Sequence, residues 1–130
     1  MKWTEYLVDD RGIRAVYGDR VPSLDVVELR QVTLKIEGPT ISLNLDLSQF
    51  PENPPVKWQG YRYNRLQVRL DFHGVRDVQL TGWTTASRAN LSLQKDGEDI
   101  AVHVAGESLN LRFLSMYLTV QEMTPYQDAA

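Results

Sequence analysis

From Leu24 onward the chain repeats with a period of two, and nothing else in it constrains the fold as strongly. Ile41, Leu43, Leu45 and Leu47 alternate with Ser42, Asn44 and Asp46; Leu66, Val68, Leu70 and Phe72 alternate with Gln67, Arg69 and Asp71. Successive side chains of a strand point to opposite faces, so each stretch buries one face and keeps the other polar. The pattern returns at Leu91 and Leu93, at Ile100, Val102 and Val104, at Leu109, Leu111 and Phe113, and at Met116, Leu118 and Val120. Turn signals separate the runs: Glu37-Gly38-Pro39, Asp96-Gly97 and Gly106. Connections this short join antiparallel neighbours, which gives a meander of seven or eight strands.

Two breaks of phase shape the sheet. In VVELRQVTLKI the apolar set runs through Val27 and Leu29 and then shifts by one to Val32, Leu34 and Ile36, so a bulge near Arg30 and Gln31 is expected to return them to the core face. In FHGVRDVQLTGW, Val75 and Val78 are also out of step, and Gly74 can supply the kink. Bulges bend sheets. The fold expected is mostly β (α+β): a strongly curved antiparallel sheet or partly closed barrel of seven to eight strands, with one or two short N-terminal helices over an open face or end.

Helical spacing occurs only near the start. Trp3, Tyr6 and Leu7, then Ile13, Val16 and Tyr17, recur at intervals of three and four. Asp9-Asp10 and Gly12 divide the stretch into two short helices, Asp10 is placed to cap the second, Gly18 ends it, and Pro22 bars continuation. Trp3 and Trp83, each within apolar pattern, read as core. With 130 residues the chain suits a single domain spanning 1–130.

Composition narrows the function. No cysteine is present, so disulfides, thiolate metal sites and a cysteine nucleophile are excluded. The net charge of −3 lacks the basic footprint of a nucleic-acid binder. Arg62, Arg65 and Arg69 cluster beside Tyr61 and Tyr63, but Arg65 and Arg69 share a strand face with Gln67 and Asp71, which reads as a mixed-charge solvated face. No apolar run is long enough for a membrane span, and MKWTEYLVDDRG has no signal-peptide character, so a cytoplasmic location is expected.

The chemistry of catalysis and cofactor binding leaves no trace. Phosphate loops, nucleophile elbows, zincin motifs and calcium loops are missing, so neither a metal nor a cofactor is assigned. His73 and His103 fall on different strands without carboxylates at ligand spacing, and His103 sits on a polar face. Asp9-Asp10 serves helix capping, and Glu98-Asp99 a hairpin tip. No enzyme is expected.

One stretch resists the period, FPENPPVKWQGYRYNR, with three prolines and four aromatic residues between Phe50 and Arg65. The prolines fix φ and hold the aromatics in place, which a flexible linker has no use for. Phe50 and Trp58 read as a plug closing one end of the sheet. The rival reading makes Trp58, Tyr61 and Tyr63 partner anchors, with Glu52 and the outward acids Asp46 and Asp71 as rim contacts.

Several stretches resemble the Imm50 family of immunity proteins of bacterial polymorphic toxin systems. They are YGDRVPSLDVVELRQVTL, LDLSQFPENPPVKW and FHGVRDVQLTGW, with the closing SLNLRF and the early Trp3-Thr4-Glu5. Together they run from the first helix to about Phe113. The resemblance implies a non-catalytic protein that binds the C-terminal domain of a cognate toxin and occludes it. An acidic balance suits a basic toxin such as a nuclease. The residues themselves leave open a carrier of a small apolar ligand inside a barrel-like sheet, or an accessory interaction domain of a larger assembly.

Overall fold

The computed structural model describes residues 2–85 and 87–128. Each alternating run becomes a strand: β1 Val27–Lys35, β2 Thr40–Asp46, β3 Arg65–His73, β4 Arg76–Thr81, β5 Arg88–Asp96, β6 Asp99–Gly106, β7 Asn110–Ser115 and β8 Tyr117–Tyr126. They form one antiparallel sheet in the order β4-β7-β6-β5-β1-β2-β3-β8. Among the described residues its end strands, β4 and β8, do not pair, so the sheet is not a closed barrel.

The sheet is doubled over. Phe72 on β3 and Phe113 on β7 meet edge to face with centroids 5.2 Å apart. In a flat sheet these strands, five positions apart, would stand about 24 Å from each other. The fold line is the seam between β1 and β5, where only Val27↔Ala89 and Glu28↔Arg88 pair and Leu29 N–H donates to Ser87 O at 2.7 Å. Past Glu28 the two strands diverge, and β4-β7-β6-β5 faces β1-β2-β3-β8 across the core. Ile41, Leu43, Leu45, Leu66, Val68 and Leu70 from one half meet Leu91, Val102, Val104 and Leu111 from the other in a single buried cluster. Side chains therefore occupy the interior that a ligand carrier would need.

The N-terminal segment covers the open mouth between β5 and β8. A 3-10 turn, Trp3–Tyr6, precedes helix α1, Arg11–Tyr17. Trp3 is buried and its Nε1 donates to Pro22 O at 2.8 Å. The Tyr6 hydroxyl reaches Leu93 O on β5 while Leu7 bridges Leu118 on β8, so the segment spans both halves. Ile13 and Val16 point into the core. The cap differs from expectation: Asp10 holds the N-cap position but its side chain makes no capping bond, and Asp9 instead accepts from Arg11 N–H at 3.0 Å. The Arg11 guanidinium on the same carboxylate holds Asp9 down to about 2.

The phase breaks resolve differently from one another. Between Leu29 and Gln31 the β1–β2 register shifts, leaving Arg30 as the extra residue of a bulge. The bulge does not bury the whole second half of β1: Val32 is half-buried and Leu34 53% exposed, while Ile36 lies past the strand, in the turn to β2, and is 96% exposed. Having left β5, this half has no neighbour on one side to pack against. Gly74 provides the kink between β3 and β4 with φ 63. Trp83 is not core; it is 66% exposed. It follows Gly82, which lies so close to Ser108 that a Cβ would sit 1.8 Å from the carbonyl oxygen. That contact pins the backbone at the margin of the sheet, and the indole projects beyond it.

Candidate functional site

The loop between β2 and β3 splits into an inward and an outward part. Phe50 and Trp58 are half-buried, pack on the core and lie 6.5 Å apart, with Trp58 ending a 3-10 turn, Val56–Trp58, that the prolines set up. Tyr61 and Tyr63 stack at 5.0 Å, with Tyr61 64% exposed. Glu52 is exposed and pairs with Arg20 at 3.1 Å. Of the loop residues named from sequence, the tyrosine pair thus presents an aromatic surface, while Trp58 is half-buried against the core beside Phe50.

Two residues after Tyr63, β3 enters the half-sheet β1-β2-β3-β8, whose outer face is polar throughout. Alternation puts Leu43, Leu45, Val68 and Leu70 on the inner side, so Ser42, Asn44, Asp46, Gln67, Arg69 and Asp71 project outward. Registration arranges them in rows across the four strands. One row is Thr33, Ser42, Asp71 and Thr119; the next is Gln31, Asn44, Arg69 and Glu122. The helices lie on the other side, with Ile13 and Val16 in the core.

Asp46 and Asp71 correct the expectation of exposed rim acids. They do project from the outer face, but Asp46 is 1% and Asp71 6% exposed. The cover is side chains. Arg30, on its bulge, donates to Asp46 Oδ2 from Nε at 3.0 Å and from Nη2 at 2.8 Å, and the Tyr126 hydroxyl donates to the same oxygen. The carboxylate raises the Arg30 pKa, and burial together with the bond to Asp46 raises that of Tyr126. This trio ties β1, β2 and β8 and holds the bulge in register. Glu28, at the seam, is held below the usual carboxylate range by the Ser87 hydroxyl at 2.6 Å and by Arg88.

Asp71 is held more loosely. Arg69 Nε stands 3.4 Å from its Oδ1, an ion pair without hydrogen-bond geometry, while Arg69 Nη1 reaches Glu122 at 3.3 Å. One guanidinium therefore serves two carboxylates. Ser42 Oγ, Asp46 Oδ1, Arg69 Nε and Asp71 Oδ1 are the buried side-chain polar atoms without a hydrogen-bond partner among the described residues, and all four lie on this face. A buried polar atom left unpaired costs about 1–3 kcal/mol, so their concentration on one face is chemically distinctive.

The rest of the surface offers less. The outer face of the other half carries a shallow groove of about 400 Å³ lined by Gln79, Ser92, His103 and Arg112, where His103 is bonded to Asn110 at 2.5 Å. His73 stacks on Tyr117 at 4.5 Å and bonds Thr119. An open cleft of about 850 Å³ runs between the N-terminal segment and β5. No group of three or more metal-ligating side chains converges among the described residues, and none of their helices is long and apolar enough to cross a membrane.

Sequence reading missed Arg30, Ser42 and Tyr126 as members of this site. Ser42 was visible as the polar partner of Leu43, but Tyr126 lies 96 residues from Arg30 and no local pattern joins them.

A family model, Imm50, described as Immunity protein 50, matches residues 10–126, which takes in all eight strands. No curated protein and no solved structure matches the chain.

Proposed function

Because the chain belongs to the Imm50 family of immunity proteins, we propose that it binds the toxic C-terminal domain of a cognate effector and neutralises it by stoichiometric occlusion, without catalysis. The domain, 1–130, acts in the cytoplasm of the cell it protects. The toxin docks on the outer face of β1-β2-β3-β8, with Tyr61 and Tyr63 at its edge.

One observation carries the choice of face: the four buried side-chain polar atoms without a hydrogen bond among the described residues all lie there, two of them, Arg69 Nε and Asp71 Oδ1, facing each other at 3.4 Å. A free surface that leaves such atoms unpaired gains more from a partner supplying hydrogen bonds than one already satisfied. The stacked tyrosines add large, rigid contact area with few rotatable bonds. Sheet edges are poorer candidates, since β1, β4 and β8 all carry register shifts that blunt strand addition.

Co-expression with the C-terminal domain of the neighbouring toxin candidate in a sensitive host tests the reading. Survival and a one-to-one complex on purification are expected. Death of the host despite soluble expression of both chains contradicts it.

A further inference from the structure

Resting on that reading of the face, we infer that its centre, Ser42 with Asp71, is the seat of a basic side chain, arginine or lysine, from the toxin. Ser42 and Asp71 are directly opposed on β2 and β3. Both are more than nine-tenths buried, and neither Ser42 Oγ nor Asp71 Oδ1 makes a hydrogen bond, the latter being held only in its ion pair with Arg69 Nε at 3.4 Å. Thr33 and Thr119 continue their row to either side, and both are small. The neighbouring rows bear the longer side chains of Gln31, Arg69 and Glu122 and of His73 and Tyr117. The row is a notch of short side chains over which Gln31 and Gln121 lean, donating to Thr33 Oγ1 at 3.4 Å and to Thr119 Oγ1 at 2.9 Å, and the entering residue displaces this cover to reach Ser42 and Asp71.

Charge selects the occupant. Arg69 carries one positive charge and faces two carboxylates, Asp71 and Glu122. Lys35, on β1, pairs with neither among the described residues. Glu122 is 60% exposed and solvated, so the demand falls on buried Asp71, which shares Arg69 with it; a second cation there donates hydrogen bonds to Asp71 Oδ1 and Ser42 Oγ. A basic residue provides both: its side chain donates, and its charge complements the buried Asp71 carboxylate. A neutral amide or a water supplies hydrogen bonds but leaves the charge unbalanced. The contact is also specific in direction, because an acidic partner residue would meet two carboxylates.

N-acetyl-arginine amide serves as the probe, with N-acetyl-citrulline amide as its neutral isostere, each titrated into the isotope-labelled full chain and followed by amide chemical shifts. Saturable shifts centred on Ser42 and Asp71 are expected for the arginine compound. The citrulline compound, and the arginine compound on Asp71→Asn, should bind about tenfold or more weakly. Shifts centred elsewhere, equal binding of the two compounds, or unchanged binding to Asp71→Asn overturns the inference. Ser42→Ala, which removes only a hydroxyl, repeats the test if Asp71→Asn fails to fold. Protection assays separate this inference from the family-level reading. Equal protection by wild type and by folded Asp71→Asn sinks the notch and leaves immunity standing; no protection by wild type sinks immunity, and the titration still decides the notch.

Discussion

Both faces of β2 are buried, save at half-buried Asn44, and they are chemically opposite. On the inner side Ile41, Leu43 and Leu45 are 2%, 0% and 0% exposed; on the outer side Ser42 and Asp46 are 2% and 1% exposed. The inner residues are covered by a second layer of sheet, which packs apolar surface against apolar surface. On the outer side Arg30 and Tyr126 reach over Asp46 from other strands and satisfy its Oδ2, while Asp46 Oδ1 and Ser42 Oγ make no hydrogen bond. Burial by a layer marks a core. Burial by long, mobile, charged side chains marks a surface closed over itself, and such a cover can be displaced by a partner that does the same job better.

Substitutions on each face should break the equivalence. The largest effect belongs to the inner side: Leu43→Ala removes fully buried methyl groups from between the layers and should cost about 3–4 kcal/mol in urea unfolding. A loss under about 1 kcal/mol would mean that the halves do not pack as described. Next comes Arg30→Ala on the outer side. It strips Asp46 of its main donor and frees the bulge, but the arginine is 40% exposed and solvent softens the loss, so about 2 kcal/mol is expected. A double cycle with Asp46→Asn should show coupling, and additive effects would contradict the tie.

Tyr61→Ala should separate binding from folding. The toxin complex weakens by about 2 kcal/mol while unfolding free energy moves by less than about 0.5 kcal/mol. The corresponding change at Trp58 should reverse this, lowering stability and sparing affinity, because that ring packs on the core. Asp71→Asn should change the stability of the free protein by less than about 1 kcal/mol, in either direction, since it trades an under-satisfied buried carboxylate for a neutral amide.

The smallest effect is a slope with pH. Burial raises the Tyr17 pKa, and its hydroxyl donates to Gln49 O at 2.6 Å. In the unfolded chain this phenol ionises near its ordinary value of about 10. The raised folded value means that its contribution is fully present below that pH and is lost as pH climbs beyond it. Stability of the wild type should decline above about pH 10, and Tyr17→Phe should flatten that decline. An unchanged slope would place the ionisation elsewhere.

Most of the strand layout was legible because period two is a local signal, and the Arg30 bulge was legible as a slip of phase. The doubling at the β1–β5 seam was not, since two residue pairs between distant segments leave no periodic mark. The same gap explains Leu34, which carries the apolar phase of a strand whose neighbour departs, while Ile36 falls in the turn beyond it. Trp83 misled because an apolar run predicts burial only where something lies opposite, and Gly82 ends the sheet just before it. For the site, alternation assigned Asp46 and Asp71 to the correct face. The burial of Asp46 depends on Arg30 and Tyr126 reaching across from other strands, which spacing along one strand does not reveal, whereas Arg69 and Asp71 stand two apart on β3. The Phe50 to Arg65 loop was legible as structured but not as divided, because only the packing separates Trp58 from the tyrosines.

The central claim is that the toxin sits on the outer face of β1-β2-β3-β8, and blocking each outer face in turn tests it most directly. The measurement is the dissociation constant of the complex for Thr33→Arg, in the row of Ser42 and Asp71, beside that for Gln79→Arg on the opposite outer face. Thr33→Arg should weaken binding by about a hundredfold or more, filling the notch with a resident cation, while Gln79→Arg leaves it within about twofold of wild type. The reverse order, with Gln79→Arg disruptive and Thr33→Arg silent, would place the toxin on the other half of the sheet and contradict the account.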